Sequence, residues 1–274
     1  MNPVLAQMLA TRTVLAADGT TLPLTAEVSP EEGAALQALV AQSGATVTLE
    51  IGLAYGVSAM FICEALAANL GRRHIVIDPY QFGVKSFDFV AGTTAPRPGF
   101  GGLGLLNLER AGYKDLVEFH DEPSHRALSR LEAAGERVGF AFIDGWHTFD
   151  YVMVDFFLVD RILEVGGIVV LDDAWYPAIR KVARYIATHR RYTPIAGIGA
   201  QPASFSRRTL NAAASAFRQR GVERLARLLR PDLRQPDAQL GLPGGNIIAF
   251  TKTADDVLGD GANGSRRWDQ HFDF

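Results

Sequence analysis

Three acidic residues stand where two apolar stretches end, and their type and spacing suit the binding of a cation. Asp144 follows residues 140–143, and the pair Asp172 and Asp173 follows residues 168–171. Ligands of open α/β sheets bind at the carboxyl ends of strands, so we expect these acids to face one crevice. Three close carboxylates repel one another unless they are protonated or bridged by a cation. Oxygen ligands favour Mg²⁺, Mn²⁺ or Ca²⁺ over zinc, which predicts a divalent metal, with Mg²⁺ the first candidate. The alternative is that these acids only cap loops.

A histidine lies three residues after the first of these acids, in the run Asp144-Gly145-Trp146-His147. Histidine exchanges a proton near neutral pH, so His147 is a candidate general base, with a metal-bound Asp144 as the alternative base. A histidine that merely organises its loop is the competing interpretation.

A glycine turn precedes these groups and predicts a binding loop. Residues 45–49 read as a buried strand, followed by Glu50, Gly52 and Gly56, and then by a helix from Ser58. Glycines let the backbone approach a ligand closely, and the free N–H groups at the helix start face it. The carboxylate of Glu50 suits an ammonium better than a pyrophosphate.

The same turn does not fit a dinucleotide-binding loop. Counted from Gly52, the second and third glycine positions of the G-x-G-x-x-G pattern hold Ala54 and Val57. A second apolar run, residues 74–77, ends at Asp78, where an acid can accept both hydroxyls of a ribose; the alternative is a turn residue before Pro79. A ligand with an ammonium, a carboxylate and a ribose fits these residues, and S-adenosylmethionine (SAM) has all three.

The pattern Glu50-x-Gly52-x-x-x-Gly56-x-Ser58 resembles the first motif of class I SAM-dependent methyltransferases, in the form found in catechol and caffeoyl-CoA O-methyltransferases. The resemblance implies SAM contacts at these four residues. It also implies a metal site at Asp144, Asp172 and Asp173.

Five residues take further expected roles from this resemblance. Trp146 corresponds to a tryptophan that packs near the adenine, and His147 replaces the lysine that takes the substrate proton. Val28 lies just before a predicted helix, where family members contact the methionine end of the cofactor. The segment that contains Glu122 is expected beside the adenine, and Asp144 is expected to contact the cofactor as well as the metal.

The elements that position these residues alternate between strands and helices. We predict a doubly wound α/β fold, the Rossmann-like fold of SAM methyltransferases, with a mostly parallel seven-stranded sheet, helices on both faces and an antiparallel last strand. Residues 1–274 are expected to form one domain, with a core at about 28–253 and a tail at 254–274. Helices are predicted at residues 29–43, 58–70, 103–111, 150–163, 177–188 and 209–229 and from Ser124, and the later strands at 116–120, 140–144, 168–171, 192–198 and 246–251. Ser29 and Glu32 are expected to form a capping box at the start of the first of these helices. Ser124 is expected to be an N-cap, and Gly166 and Gly167 are expected to end the helix at 150–163.

Composition narrows the functional classes. The chain of 274 residues is 48% hydrophobic with a net charge of −3, so a nucleic-acid-binding surface is not expected. The single cysteine, Cys63, fits a core position and a reducing, cytoplasmic location. No membrane span or signal peptide is expected. A homodimer is left open, and the loop at 81–101 and the tail are expected to border the acceptor pocket or a subunit interface.

The function predicted from these residues is methyl transfer from SAM to a hydroxyl oxygen of a small molecule, assisted by a divalent metal. A metal-independent N- or O-methyltransferase, with structural acids, is the alternative among enzymes. A non-catalytic SAM-binding module is the alternative from another class. The acceptor, the position that is methylated and the metal in use stay open.

Overall fold

The structure is a computed structural model that describes residues 1–25, 27–67, 72–83, 99–198 and 237–255. A short hairpin, β1 (Thr13–Leu15) with β2 (Thr21–Pro23), precedes a seven-stranded sheet. The strands of that sheet are β3 (Val47–Ile51), β4 (Arg73–Ile77), β5 (Val117–His120), β6 (Val138–Ile143), β7 (Leu163–Leu171), β8 (Tyr192–Pro194) and β9 (Ile248–Lys252).

The strand order of the large sheet is β5-β4-β3-β6-β7-β9-β8. Strands β3 to β7 pair in parallel, and β9 runs antiparallel between β7 and β8. The chain builds outward from β3 to β5 and then returns to place β6 on the other side of β3. This reversal leaves a crevice at the carboxyl ends of β3 and β6, where doubly wound sheets bind ligands. The predicted mostly parallel sheet with an antiparallel last strand is confirmed.

Helices cover both faces of the sheet, as predicted. Successive strand residues point to opposite faces, so Phe140 and Phe142 join one apolar core while Ala141 and Ile143 join the other. The first core also contains side chains of four helices: α1 (Pro3–Thr11), α2 (Pro30–Ser43), α3 (Val57–Leu66) and α4 (Leu103–Arg110). The second contains side chains of α5 (Ser124–Ala133), α6 (Phe149–Ile162) and α7 (Pro177–His189).

The start of α2 is a capping box, as the sequence predicts. The Glu32 N–H donates to Ser29 Oγ at 3.2 Å, and the Ser29 N–H donates to Glu32 Oε2 at 2.8 Å. These two bonds satisfy backbone donors that a helix start leaves free. Val28, which directly precedes this capping box, is buried in the first core.

The prediction that Gly166 and Gly167 end α6 is wrong. The helix ends at Ile162, and β7 begins at the next residue. The pairing of β7 with β6 shifts between Val138 and Phe140, so the glycines lie in an irregular part of the strand. Gly166 has φ +89° there, a conformation that glycine adopts readily.

Most other predicted boundaries agree within a few residues. The largest shift among the early strands is β3, which runs to Ile51 and so includes Glu50. The predicted helix at 209–229 lies outside the described residues, as do most of the loop at 81–101 and nearly all of the tail. Within the described ranges, no helix combines the length and apolar character needed to cross a membrane.

Candidate active site

A cavity of about 600 Å³ opens at the carboxyl ends of the parallel strands. Ile77, Ile51, Ile143 and Leu171 lie in one row, because each pairs with the next across the sheet. The residues that follow these four therefore stand side by side at the cavity. The predicted site residues in its wall are Val28, Gly52, Ser58, Asp78, Asp144, Trp146, His147, Asp172 and Asp173.

Gly52 allows two strand ends to touch through their backbones. It has φ +94°, and a Cβ at this position would lie 2.1 Å from the carbonyl oxygen of Asp144. The Asp144 N–H donates to the Ile51 carbonyl at 2.9 Å beside it. The turn thus needs glycine because β6 packs against it, a neighbour that the sequence does not reveal.

The second glycine of the turn has a similar neighbour. A Cβ at Gly56 would lie 3.1 Å from the carbonyl oxygen of Gly104 in α4, and Gly56 is not part of the cavity wall within the described chain. Ala54, between the two glycines, has φ +45°, which is uncommon for a residue with a side chain. Strained backbone of this kind gathers at binding sites.

Asp78 organises the glycine turn from the end of β4. Its Oδ2 accepts from the N–H groups of Leu53 at 3.0 Å and Ala54 at 3.1 Å. Gln81 Nε2 donates to the same oxygen at 2.9 Å, and the Tyr80 N–H donates to Oδ1 at 2.7 Å. Oδ1 accepts only one of these bonds and can therefore accept another. Ribose binding by Asp78 stays a prediction that this geometry permits.

Glu50 is fully buried and does not line the cavity in the described chain. The Ser58 hydroxyl donates to its Oε1, and His74 Nε2 lies 3.0 Å from its Oε2. Thr48 Oγ1 lies 2.9 Å from the other ring nitrogen of His74. Ser58 does line the cavity, so it links the buried Glu50 to the cavity wall. A direct contact of Glu50 with an ammonium stays a prediction.

Asp144 and Asp172 both line the cavity and interact directly with each other. Burial, followed by the charges of Asp172, Glu50 and Asp173, raises the pKa of Asp144 well above its ordinary value. Burial also raises the pKa of Asp172, and Asn246 Nδ2 donates to its Oδ1 at 3.2 Å. About a quarter of the Asp144 side chain is still accessible from the cavity. The pair therefore retains a proton more readily than isolated carboxylates do.

The third acid, Asp173, orients an aromatic group beside the predicted base. Trp175 Nε1 donates to Asp173 Oδ1 at 2.9 Å, and Asp173 has φ +50°. His147 Nε2 lies 3.4 Å from Asp173 Oδ2 and 3.9 Å from Asp144 Oδ1. The imidazole stacks on Tyr176 with ring centroids 5.7 Å apart. His147 thus reaches the acids from a partly exposed position in the cavity wall.

The three predicted metal ligands have suitable donor atoms and lie next to one another. Nevertheless, no three His, Cys, Asp or Glu side chains in the described ranges are arranged to hold a metal ion. Metal binding by Asp144, Asp172 and Asp173 therefore stays a prediction.

Aromatic rings and the start of α5 form the other side of the cavity. The rings of Trp146 and Tyr80 lie nearly parallel, with centroids 6.5 Å apart. Ser124 lines the wall here as the first residue of α5, not as the N-cap that the sequence predicts. Glu122 forms an ion pair with Arg130 and is not among the described residues that line the cavity. Its contact with the cofactor stays a prediction.

Comparison with known proteins agrees with this arrangement. Residues 49–174 match a family model described as "Methyltransferase domain". This segment, just under half of the chain, is similar to a methyltransferase domain. The matched segment begins in β3 and ends just after Asp173, so it contains the glycine turn and all three acids. No curated protein matches the sequence.

Solved structures share the fold of this methyltransferase domain. An O-methyltransferase from Bacillus cereus, in complex with S-adenosylhomocysteine (SAH), is 23% identical with a TM-score of 0.53; the match covers 72% of this chain and 86% of that one. The O-methyltransferase TomG from Streptomyces achromogenes, involved in tomaymycin synthesis and solved with SAM, is 20% identical with a TM-score of 0.53, covering 72% and 85%. The predicted class I fold and the predicted enzyme class, a methyltransferase, are confirmed.

Several residues of the site were not predicted from the sequence. Gln81 is fully buried and links Asp78 to the Ala54 carbonyl and to the N–H of Gly104. Asn246 reaches Asp172 from the residues before β9. Asp155 points into the cavity from the buried side of α6. Only Asp155 left a signal in the sequence, because it is an acid next to the apolar positions of its helix.

Proposed function

We propose that the protein transfers a methyl group from SAM to a hydroxyl oxygen of a small-molecule acceptor, with the assistance of a divalent cation. The observation that carries the proposal is the single cavity that brings together the glycine turn, Asp78, the three acids and His147. In this proposal a cofactor site and a site for proton removal share one cavity. Holding both reactants there converts a bimolecular step into a local one.

The charge of the cavity favours SAM over a dinucleotide. Its described wall contains seven carboxyl side chains and neither lysine nor arginine. SAM carries a sulfonium and an ammonium against one carboxylate, so its net charge is positive. A pyrophosphate would meet repulsion from these acids without a cationic partner. The cavity therefore suits SAM and a neutral or cationic acceptor.

The size of the cavity supports a small acceptor. A volume of about 600 Å³ lies within the range of pockets that hold small molecules and cofactors. The turn and Asp78 would hold the cofactor on the side of β3 and β4. The acceptor hydroxyl would then lie near His147 and the acids that follow β6 and β7.

His147 is the group that we assign to proton removal. Its Nε2 lies 3.4 Å from Asp173, and 36% of its side chain is exposed, so an acceptor can reach the ring. Asp173 can stabilise the imidazolium that forms when the ring takes a proton. In the absence of a cation Asp144 is a weaker candidate, because its raised pKa favours the protonated form, which cannot accept a proton.

The acids fit a divalent cation in the chemistry of their donors. Asp144, Asp172 and Asp173 offer only oxygen atoms, which Mg²⁺ prefers. The raised pKa values of Asp144 and Asp172 reflect burial and mutual repulsion, which a positive charge would relieve. These three residues would hold the ion. When bound, it would lower the pKa of the acceptor hydroxyl.

A metal-independent methyltransferase is the second candidate, and specific contacts favour it. Asp172 already accepts from Asn246, and Asp173 already accepts from Trp175. Both acids therefore also organise the residues after β7. In this case His147 would remove the proton without help from an ion.

Binding and transfer can be tested on the purified full-length chain. Calorimetry with SAH and with NAD should detect binding of SAH only; binding of NAD without SAH would refute the proposed cofactor. Labelled SAM should then methylate hydroxyls in a panel of catechols, other phenols and sugars when Mg²⁺ is present. Full activity in excess EDTA would favour the metal-independent enzyme, and transfer to amines alone would refute the acceptor class. SAH binding without transfer to any acceptor would favour a non-catalytic module.

A further inference from the structure

Asp155 is a buried carboxyl group that faces the cavity and lacks a partner for one oxygen. Only 2% of the residue is exposed, yet it forms part of the cavity wall. Its Oδ1 has no hydrogen-bond partner among the residues that the structure describes. The Ser124 side chain interacts with its carboxyl group and opposes the rise of its pKa that burial causes. A buried polar atom without a partner is costly, so such atoms call for an explanation.

A second aspartate on the same helix shows what a structural role looks like here. Asp160 is also buried, at 5% exposure, but both of its oxygens are paired. Tyr192 donates its hydroxyl to Asp160 Oδ1 at 2.5 Å, Arg190 pairs with Oδ2, and Lys252 lies 3.6 Å from Oδ1. Asp155 lacks such a set of partners and points into a cavity instead.

The position of Asp155 indicates which part of the cofactor would lie next to it. Its partner Ser124 follows β5, whereas Asp172 and Asp173 follow β7, four strand spacings or about 19 Å across the sheet. Asp78, the proposed ribose site, follows β4 between them. In SAM the ribose lies between the sulfonium and the adenine. With the sulfonium toward the acids, the adenine therefore points toward β5 and Asp155.

The surroundings of Asp155 suit a flat base. The nearly parallel rings of Trp146 and Tyr80 belong to the same cavity wall. The backbone of the loop after β6 also passes close by, because a Cβ at Gly145 would lie 3.6 Å from Asp155 Oδ2. The exocyclic amino group of adenine is a hydrogen-bond donor, which is what Oδ1 lacks.

We propose that Asp155 determines the base specificity of the cofactor site, with Oδ1 accepting a hydrogen bond from the 6-amino group of adenine. The proposal rests on the proposed function, in which SAM is the cofactor. It assigns this role to α6 and not to Glu122, whose carboxylate is already paired with Arg130.

The test compares two ligands that differ only in this amino group. Calorimetry measures the affinity of the full-length chain for SAH and for the SAH analogue whose base is unsubstituted purine. The wild type should prefer SAH by about ten- to a hundredfold, the range expected for a hydrogen bond to a charged group. In Asp155→Leu the preference should fall below about threefold. Asp155→Asn keeps an acceptor oxygen and should keep part of the preference.

The matched control is Asp150→Asn, which changes an exposed aspartate in the first turn of the same helix. Asp150 is not among the described residues that line the cavity. This variant should leave the preference unchanged. If the wild type prefers SAH over the purine analogue by less than threefold, the inference is overturned whatever the variants do. An Asp155→Leu variant that binds both ligands more weakly but keeps the ratio would also overturn it, because a structural role predicts that result. Failure of the wild type to bind SAH at all would instead refute the proposed function, and the inference with it.

Discussion

Replacing Asp155 by asparagine should stabilise the protein by an amount that grows with pH. Burial raises the pKa of Asp155 from its ordinary 3.8 to about 7, against the opposing effect of the Ser124 side chain. Below about pH 4 the carboxyl group is protonated in the folded and unfolded states alike. Between about pH 4 and 7 the unfolded chain releases this proton and the folded protein keeps it, so stability falls as the pH rises. Above about pH 7 both states are ionised and the cost stays constant.

The size of the effect follows from the two pKa values. They differ by about 3, and each pKa unit corresponds to about 1.4 kcal/mol, so the cost at pH 8 is at most about 4 kcal/mol. At pH 5 the cost is about 1.5 kcal/mol, because this pH lies only about one unit above the pKa of the unfolded group. Asparagine has a similar shape and no charge at any pH. The stability gained by Asp155→Asn should therefore rise by about 2–3 kcal/mol between pH 5 and pH 8.

Urea unfolding of both proteins at pH 5, 6, 7 and 8 measures this difference. Asp150→Asn is the control, since Asp150 is exposed and a hydrogen bond from Thr148 lowers its pKa. Asp150 is thus ionised in both states throughout this range, and its replacement should change stability by the same amount at each pH. An equal effect of Asp155→Asn at pH 5 and pH 8 would refute the assignment of a buried, uncompensated carboxyl group at this position.

Three further predictions follow from the site. Gly52→Ala should destabilise the fold by more than about 3 kcal/mol in urea unfolding, because it combines a positive φ with a clash against the Asp144 carbonyl. Gly19→Ala, which has φ +86° and no atom within 4 Å of the added Cβ, should cost less, and equal losses would contradict this account. His147→Ala should lower kcat by about 10²–10⁴-fold while SAH affinity stays nearly constant in calorimetry, and His147→Lys should restore part of the activity at higher pH; a loss below tenfold would move the role of base to Asp144. Asp78→Asn should weaken SAH binding by about ten- to a hundredfold, and unchanged affinity would exclude Asp78 from the cofactor site.

The pattern of strands, acids and caps was available from the sequence alone. Apolar runs that end in an acid or a glycine predicted where the parallel strands lie along the chain, because a buried parallel strand must be apolar on both faces. The capping box at Ser29 and Glu32 predicted the start of α2, since its two bonds are local. The glycine motif and the acids at 144, 172 and 173 predicted the methyltransferase fold. In each case the interacting residues are close in sequence, or the pattern repeats within one element.

Only the tertiary structure decided which side chains reach the cavity. Glu50 turns into the sheet because His74 and Ser58 bond it there, and Gly52 is needed because β6 brings the Asp144 carbonyl against it. Helical periodicity places Asp155 on the buried side of α6 but does not say what covers it. The partners of these groups come from other strands and helices, so the packing of the sheet determines whether a buried acid is paired, as Asp160 is, or left facing a ligand, as Asp155 is.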